Sequence, residues 1–413
     1  MSQYKYPVRH FSGAGVRIVP PVVFKYQGEL LDQRTNMRAP ILGETGLDGV
    51  LIDFNYGLRL QIPRGNWHVR IADADSDYVF VDDDFSAVTL ISWEKFWINW
   101  EVTLWRDGDP VFYHQFDPTG QKVHFQFMHS TLGDNIALLL YVEAFRKKFD
   151  CEVSCSIPAV FVDIMKNYYP KVRLTEELPE ETYACFYMRT PFNMPLTATE
   201  DAARIPLLRV GHSILRSIEL PSKVLFTPTE PREILEPYVC IGVQASSTTK
   251  CWLNPNGWEQ VVEYLKSLDY RVLCIDRDRL CSNHGLTVEM PRGAEDFSGK
   301  YTLLDRINQL AYADFFIGVS SGLSWLAWSA DIPVIMISGI TEPWYEFDTP
   351  YRINNPLVCH GCFNEIRERS RLESCPIFKD TNRAYECSKK ISARQVIKMI
   401  DRLISDLKLG GAR

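Results

Sequence analysis

The sequence predicts an α/β protein with two Rossmann-like units in tandem, a β-rich domain ahead of them and a four-cysteine segment behind. Three observations carry that prediction. Short alternations of apolar and polar side chains fill the first 121 residues, strands and helices alternate from residue 122, and the alternation restarts beyond a segment holding Pro228, Pro231 and Pro237. The expected divisions are 1–121 (β-rich), 122–226 (first α/β unit), 238–350 (second α/β unit), 355–390 (four-cysteine segment) and 391–413 (terminal helix).

Strands are expected at 22–26, 50–54, 67–71 and 88–91, where a period of two turns alternate side chains to one face. Five of the ten tryptophans lie between Trp67 and Trp105. Such a cluster suits a packed core, a subunit interface or a sugar-stacking platform, and core or interface is the expectation here. The first α/β unit reads as strand 123–128, a glycine turn, helix 134–149, strand 151–157, a helix from Pro158 and a strand at 183–188. An amphipathic stretch over 205–220 precedes the proline-bearing linker. The second unit opens with strand 238–245 and a Ser/Thr loop. A helix then enters through Asn254 as N-cap and Pro255 at N1, and strand 271–275 follows. Helix 302–313, strand 315–319, a short helix to Ala330 and strand 333–337 repeat the scheme. Strands separated by helices in this way lie parallel in one sheet.

Composition narrows the function. With 413 residues, 46% hydrophobic and 23% charged, the chain lies in the ordinary globular range, which excludes disordered, collagenous and coiled-coil classes. Its 45 Lys and Arg against 52 Asp and Glu leave a net charge of -7, so no overall positive field draws in nucleic acid or an anionic membrane. Any phosphate must be held locally. The longest apolar run, 136–142, falls far short of the ~20 residues that span a bilayer, so no membrane span is expected. Lys5, Arg9, His10 and Arg17 stand among Pro and Gly with no apolar run beside them, and no signal peptide is expected. With eleven cysteines, an odd number, the expectation is a reducing, cytoplasmic location.

Cys359, Cys362, Cys375 and Cys387 form the sharpest motif: a C-x2-C pair, then intervals of twelve and eleven residues. Four soft thiolates can converge on a tetrahedral metal, zinc or iron. Four unrelated core thiols are the alternative, but the surrounding Arg367, Glu368, Arg369, Arg371, Lys379 and Asp380 offer little apolar core. A filled four-thiolate shell leaves no open position, which favours a structural clip over a catalytic Lewis acid. Cysteines 151, 155, 185, 240, 251, 274 and 281 read as small hydrophobes on or beside strands.

Thr131, Leu132, Gly133 and Asp134 fall where the first α/β strand gives way to a helix. Open parallel sheets bind ligands at that end, which puts Asp134 near a substrate. Equally, Asp134 or Asn135 can merely suit the first turn of the helix. Ser246, Ser247, Thr248, Thr249 and Lys250 after one strand, and Ser320, Ser321, Gly322 and Leu323 before a helix, combine backbone N–H groups, hydroxyls and one cation in a serviceable pyrophosphate cradle. A plain helix cap is the competing reading of the second loop. Two apparent motifs fail on spacing. Residues 293–301 put five residues between the glycines of a would-be P-loop and end in Tyr301 where Mg²⁺ needs a hydroxyl of Ser or Thr. The acidic run from Asp73 has Tyr78 where a calcium loop needs glycine.

On these residues the chain resembles the ADP-heptose heptosyltransferases, and among them the bacterial autotransporter heptosyltransferase family. The Leu132-Gly133-Asp134 turn is similar to the family's N-terminal loop, which implies that Asp134 is the catalytic base. Lys250, followed by Trp252, looks like the lysine that holds the donor phosphates, and 318–322 with Leu323 and Ala327 resembles the nucleotide-binding turn and helix. The four cysteines match the metal finger of the autotransporter-modifying branch, which implies structural ferric iron, Fe(III). The resemblance further implies a GT-B fold, a homododecamer and an autotransporter adhesin as acceptor. Ser320-Ser321-Gly322 and Trp325 depart from the Asp-Thr-Gly and His common in the lipopolysaccharide branch, and Trp325 is read as packing.

The expected activity is inverting transfer of heptose from ADP-heptose to serine hydroxyls of an adhesin. Alternatives are a lipopolysaccharide-core heptosyltransferase and a non-catalytic metal scaffold on a transferase-like body. An electron carrier is disfavoured by the lack of any flavin or nicotinamide fingerprint.

Overall fold

A computed structural model describes residues 40–127, 131–191, 198–283, 285–365 and 373–409, and the backbone of Val16–Val19. The expected strand 22–26, the N-terminal Lys5, Arg9 and His10, and Arg367, Glu368, Arg369 and Arg371 lie outside the described residues.

Ala184–Met188 is buried at every position, which requires strands on both of its edges and layers on both of its faces. It pairs in parallel with Lys122–Phe127 on one side, continuing to Glu152–Ser156 and Arg173–Leu174. On the other side it pairs in parallel with Leu51–Asn55, which leads antiparallel through Arg59–Ile62 and Val88–Ser92 to Val16–Val19. One eight-stranded mixed sheet therefore crosses the sequence division at 121/122. The remaining β-rich residues make a four-stranded antiparallel sheet in the order Tyr78–Phe85, Trp67–Asp73, Trp100–Arg106, Asp109–Gln115.

Tryptophan joins these layers. Trp67 and Trp100 are buried, and Trp97 stacks on Phe149 at 5.3 Å and meets Phe145 edge-on, so the β-rich domain is fixed to the helix Leu132–Phe149. Trp93 is the exposed member of the five.

The second unit is a six-stranded parallel sheet, Glu295–Asp296, Arg271–Cys274, Tyr238–Gly242, Phe315–Val319, Val334–Ile337 and Arg352–Ile353 in spatial order. Helices Gly257–Ser267, Leu303–Ala311, Gly322–Ser329 and Ala393–Leu407 belong to this unit. Leu303–Ala311 starts through a reciprocal capping box of Thr302 and Asp305. Among the described residues no helix is long and apolar enough to cross a membrane.

Three local expectations differ from the structure. The stretch 205–220 yields only a 3-10 turn, Leu207–Arg209, and one short helix, Val210–Ile214, because Gly211 lies against the Tyr141 ring while the Tyr141 hydroxyl donates to the Leu208 carbonyl. Asn256, not Asn254, occupies the N-cap position of the helix Gly257–Ser267, without a side-chain capping bond. The Asn254 amide instead donates to the Lys389 carbonyl at 2.8 Å, tying down the C-terminal segment. Strand 238–245 stops at Gly242 because the N–H groups of Val243 and Gln244 turn to the Asp276 carboxylate.

Candidate functional site

The helices Leu132–Phe149 and Gly322–Ser329 begin at the carboxyl ends of parallel strands in different lobes, and there they meet. Both contacts depend on glycine. A Cβ on Gly322 would lie 2.5 Å from the Leu132 Cβ, and one on Gly133 would lie 2.6 Å from Cδ1 of Trp325. Trp325 is held against Trp328 and Phe347, so it packs, as expected, and it packs at the lobe junction. The N-caps Thr131 and Ser321 make no side-chain capping bond. First-turn N–H groups and the positive ends of two helix dipoles thus face one junction, which suits an anion. Asp134 lies in the first of these turns, half-buried, and the Ser321 hydroxyl is buried without a hydrogen-bond partner among the described residues.

The other loop residues divide. Ser320 donates its hydroxyl to Glu346, a buried carboxylate that also accepts from Arg352 at 2.7 Å. Leu323 lies over the end of strand Tyr238–Gly242, its Cδ1 3.1 Å from where a Gly242 Cβ would be. Ser247, Thr248 and Thr249 are buried, with Ser247 accepting the Thr249 N–H and Thr248 donating to the Asn283 carbonyl. The Ser247 and Thr249 hydroxyls bond each other and Thr248 is engaged by Asn283, so the expected hydroxyl-lined cradle is reduced to exposed Ser246 and half-buried Lys250. The Lys250 ammonium lies 5.2 Å over the Phe363 ring. Phe363 packs on Tyr345 at 4.9 Å, and the next residue, Glu346, holds Ser320, which links Lys250 to the Ser320 turn. Residues 131–134 are therefore brought directly against 321–325, with Lys250 on the adjoining loop. His129 and Ser130 lie outside the described residues.

Sequence reasoning missed Glu346, Arg352 and Asp276. Asp276 accepts both loop N–H groups, and burial pushes its carboxyl up to about 6. Its signal was available: an acid just past a buried strand, at the ligand-binding end. Nothing in the local pattern around Glu346 distinguishes it from a surface loop residue.

All eleven cysteines are free, and of the seven outside the four-cysteine motif only Cys281 is not fully buried. Cys359, Cys362, Cys375 and Cys387 line one small cavity together with Thr249, Ile340 and His360. Burial and then the neighbouring thiols push Cys362 and Cys387 up to about 12, since thiolates this close repel one another. Among the described residues no group of three or more Cys, His, Asp or Glu has the geometry of a bound metal. The segment is tied to both lobes: Ser388 donates to the Cys251 carbonyl and the Asn364 amide to the Ala203 carbonyl.

Comparison with known proteins accords with this architecture. Residues 46–108 match the profile "Glycosyltransferase TibC, N-terminal domain" and 221–374 match "Glycosyltransferase family 9 (heptosyltransferase)". The autotransporter heptosyltransferase Aah of Escherichia coli is 36% identical over 373 residues, spanning 87% of this chain and 94% of that protein. The crystal structure of TibC from enterotoxigenic E. coli H10407, an iron-containing dodecameric glycosyltransferase, superposes with a TM-score of 0.85 at 33% identity, covering 90% of this chain and 99% of TibC. A second TibC structure, in complex with ADP-D-beta-D-heptose, gives a TM-score of 0.84 at 34% identity, covering 89% and 99%. The inactive autotransporter heptosyltransferase BimC of Burkholderia thailandensis is 31% identical over 378 residues, 86% of each chain. The fold is GT-B-like, with a β-rich N-terminal domain, and the chain belongs to the autotransporter heptosyltransferase family of glycosyltransferases.

Proposed function

We propose that this enzyme transfers heptose from ADP-heptose to serine hydroxyls of an autotransporter adhesin, with inversion at the sugar carbon. The observation that carries the reading is the junction of Leu132–Gly133 with Gly322–Trp325, which sets a carboxylate beside two uncapped helix starts. Asp134 takes the proton from the incoming hydroxyl, a role worth about 10²- to 10⁴-fold in rate. Charge developing on the departing ADP is stabilised by the N–H groups of the 321–323 turn, with Thr131, Leu132 and Gly133 closing the opposite side. Lys250 and Ser246 reach the diphosphate from the adjoining loop.

The four thiols fit a metal by their chemistry: one donor type, one shared cavity and mutual repulsion that a cation would relieve. Cys359, Cys362, Cys375 and Cys387 would hold ferric iron, with zinc as the competing ion, and it would supply cross-linking of the segment. TibC is described as iron-containing and dodecameric, and we carry both properties over. The eleven free cysteines favour a reducing, cytoplasmic site of action on the adhesin before export.

Mass spectrometry of an adhesin co-expressed with the wild type should show serine-linked heptose, and Asp134→Ala should abolish it while ADP-heptose binding persists. Near-normal turnover in the variant removes the base assignment. The inactive relative at 31% identity supports a second, non-catalytic reading. Donor binding by the wild type without any adhesin modification would favour it, and modification of purified core oligosaccharide instead would favour the lipopolysaccharide activity.

A further inference from the structure

Arg189 plays no part in the site as described so far. It is the first residue past Ala184–Met188, the strand buried at all five positions at the centre of the eight-stranded sheet. Met188 stands opposite Phe127 in parallel register, and from Phe127 the chain runs on to Thr131 and the helix bearing Asp134. Arg189 therefore leaves the sheet at its carboxyl end, immediately past a strand paired in parallel with Lys122–Phe127, the end at which the helix bearing Asp134 also begins. The residue is half-buried, and its Nε is buried with no hydrogen-bond partner among the described residues. A buried guanidinium N–H with no acceptor is costly, and arginine is otherwise the side chain that most readily finds a carboxylate.

Across the junction the Ser321 hydroxyl is also buried without a partner, and both helix starts lack side-chain caps, among the described residues. Unpaired donors from both lobes thus stand at the carboxyl ends of the two sheets, a donor set whose chemistry suits an anion.

We propose that Arg189 is a binding residue for the donor's diphosphate, so that the acceptor-side lobe as well as the nucleotide-side lobe grips the phosphates. This rests on the ADP-sugar reading above. The planar fork of a guanidinium matches two phosphate oxygens at once, which a lysine ammonium cannot do. No bond is made or broken by Arg189; it holds the leaving group.

The test compares wild type, Arg189→Gln and Arg189→Lys by calorimetric titration with ADP and with adenosine, and by melting of the free protein. Arg189→Gln should weaken ADP about 10- to 100-fold, and Arg189→Lys should recover part of that. Adenosine affinity should not change. The free protein should melt at the wild-type temperature or above, because the variant removes an unsatisfied donor. Equal ADP affinity in wild type and Arg189→Gln overturns the assignment and leaves the donor reading standing. A fall in melting temperature with an equal loss of adenosine and ADP binding overturns it in favour of a scaffold role. Failure of the wild type to bind ADP overturns both readings.

Discussion

At the scale of single residues, the junction is governed by side chains that are missing. Gly133 and Gly322 let two helix starts approach until Leu132 and Trp325 fill the space where a Cβ would be. Trp325 cannot retreat, since Trp328 and Phe347 box it in. Gly133→Ala should therefore push the 131–134 turn from its partner by a fraction of an ångström to one ångström. A displacement of that order at a reacting centre costs about 100-fold in rate. Heptose transfer should fall by about that factor while circular dichroism stays native, and adding Trp325→Leu should restore part of the activity. Unchanged transfer in the single variant would mean that this contact does not set the catalytic geometry. The place of Asp134 was legible in the sequence because the end of a parallel strand is a local feature. The close approach of Gly322 to Leu132 was not, because it joins loops far apart in the chain and leaves no local pattern.

Among the elements, short apolar strands between helices and helices with capped starts were read nearly to their ends, as with the fully buried Phe315–Val319 and the Thr302-capped helix. Reading failed where a side chain had a distant partner: Asn254 was taken from its helix by Lys389, and strand 238–245 was cut short by Asp276. The four-cysteine segment shows both sides of this. Its spacing marked it, but not that Thr249 would share the cavity or that Lys250 would rest on Phe363. From that contact an element-level consequence follows. Cys362→Ser should lower bound metal to a small fraction of one per chain by elemental analysis, lower the melting temperature, and raise KM for the donor more than it lowers kcat, because the Lys250 loop loses its wall. Cys281→Ser, which lies outside the cavity, should change none of these. Full metal content with an unaltered donor KM in Cys362→Ser would separate the segment from donor binding.

For the whole molecule, the five divisions drawn from the sequence follow changes of pattern, whereas the physical connections cross them. Leu51–Asn55 hydrogen-bonds into the first α/β sheet, Trp97 packs on its helix, and one continuous buried core runs from Val50 through Phe145 and Trp325 to Cys362 and Cys387. A second core, from Val239 to Leu403, stays within the nucleotide-side lobe. Composition could not reveal this, since a strand that pairs across a division has the same alternation as one that does not. The energetic consequence is that most of the chain should unfold as one unit. Calorimetry should show one dominant endotherm. ADP at about 100 times its Kd adds roughly 2.7 kcal/mol to the state that binds it, and that endotherm should move upward as a whole. If the lobes were joined only by the linker, ADP would shift a nucleotide-lobe peak and leave a separate N-terminal peak in place. Two peaks of which one moves would therefore overturn the continuous core as the unit of stability. A single moving peak would mean that donor affinity and the integrity of the β-rich domain are thermodynamically linked.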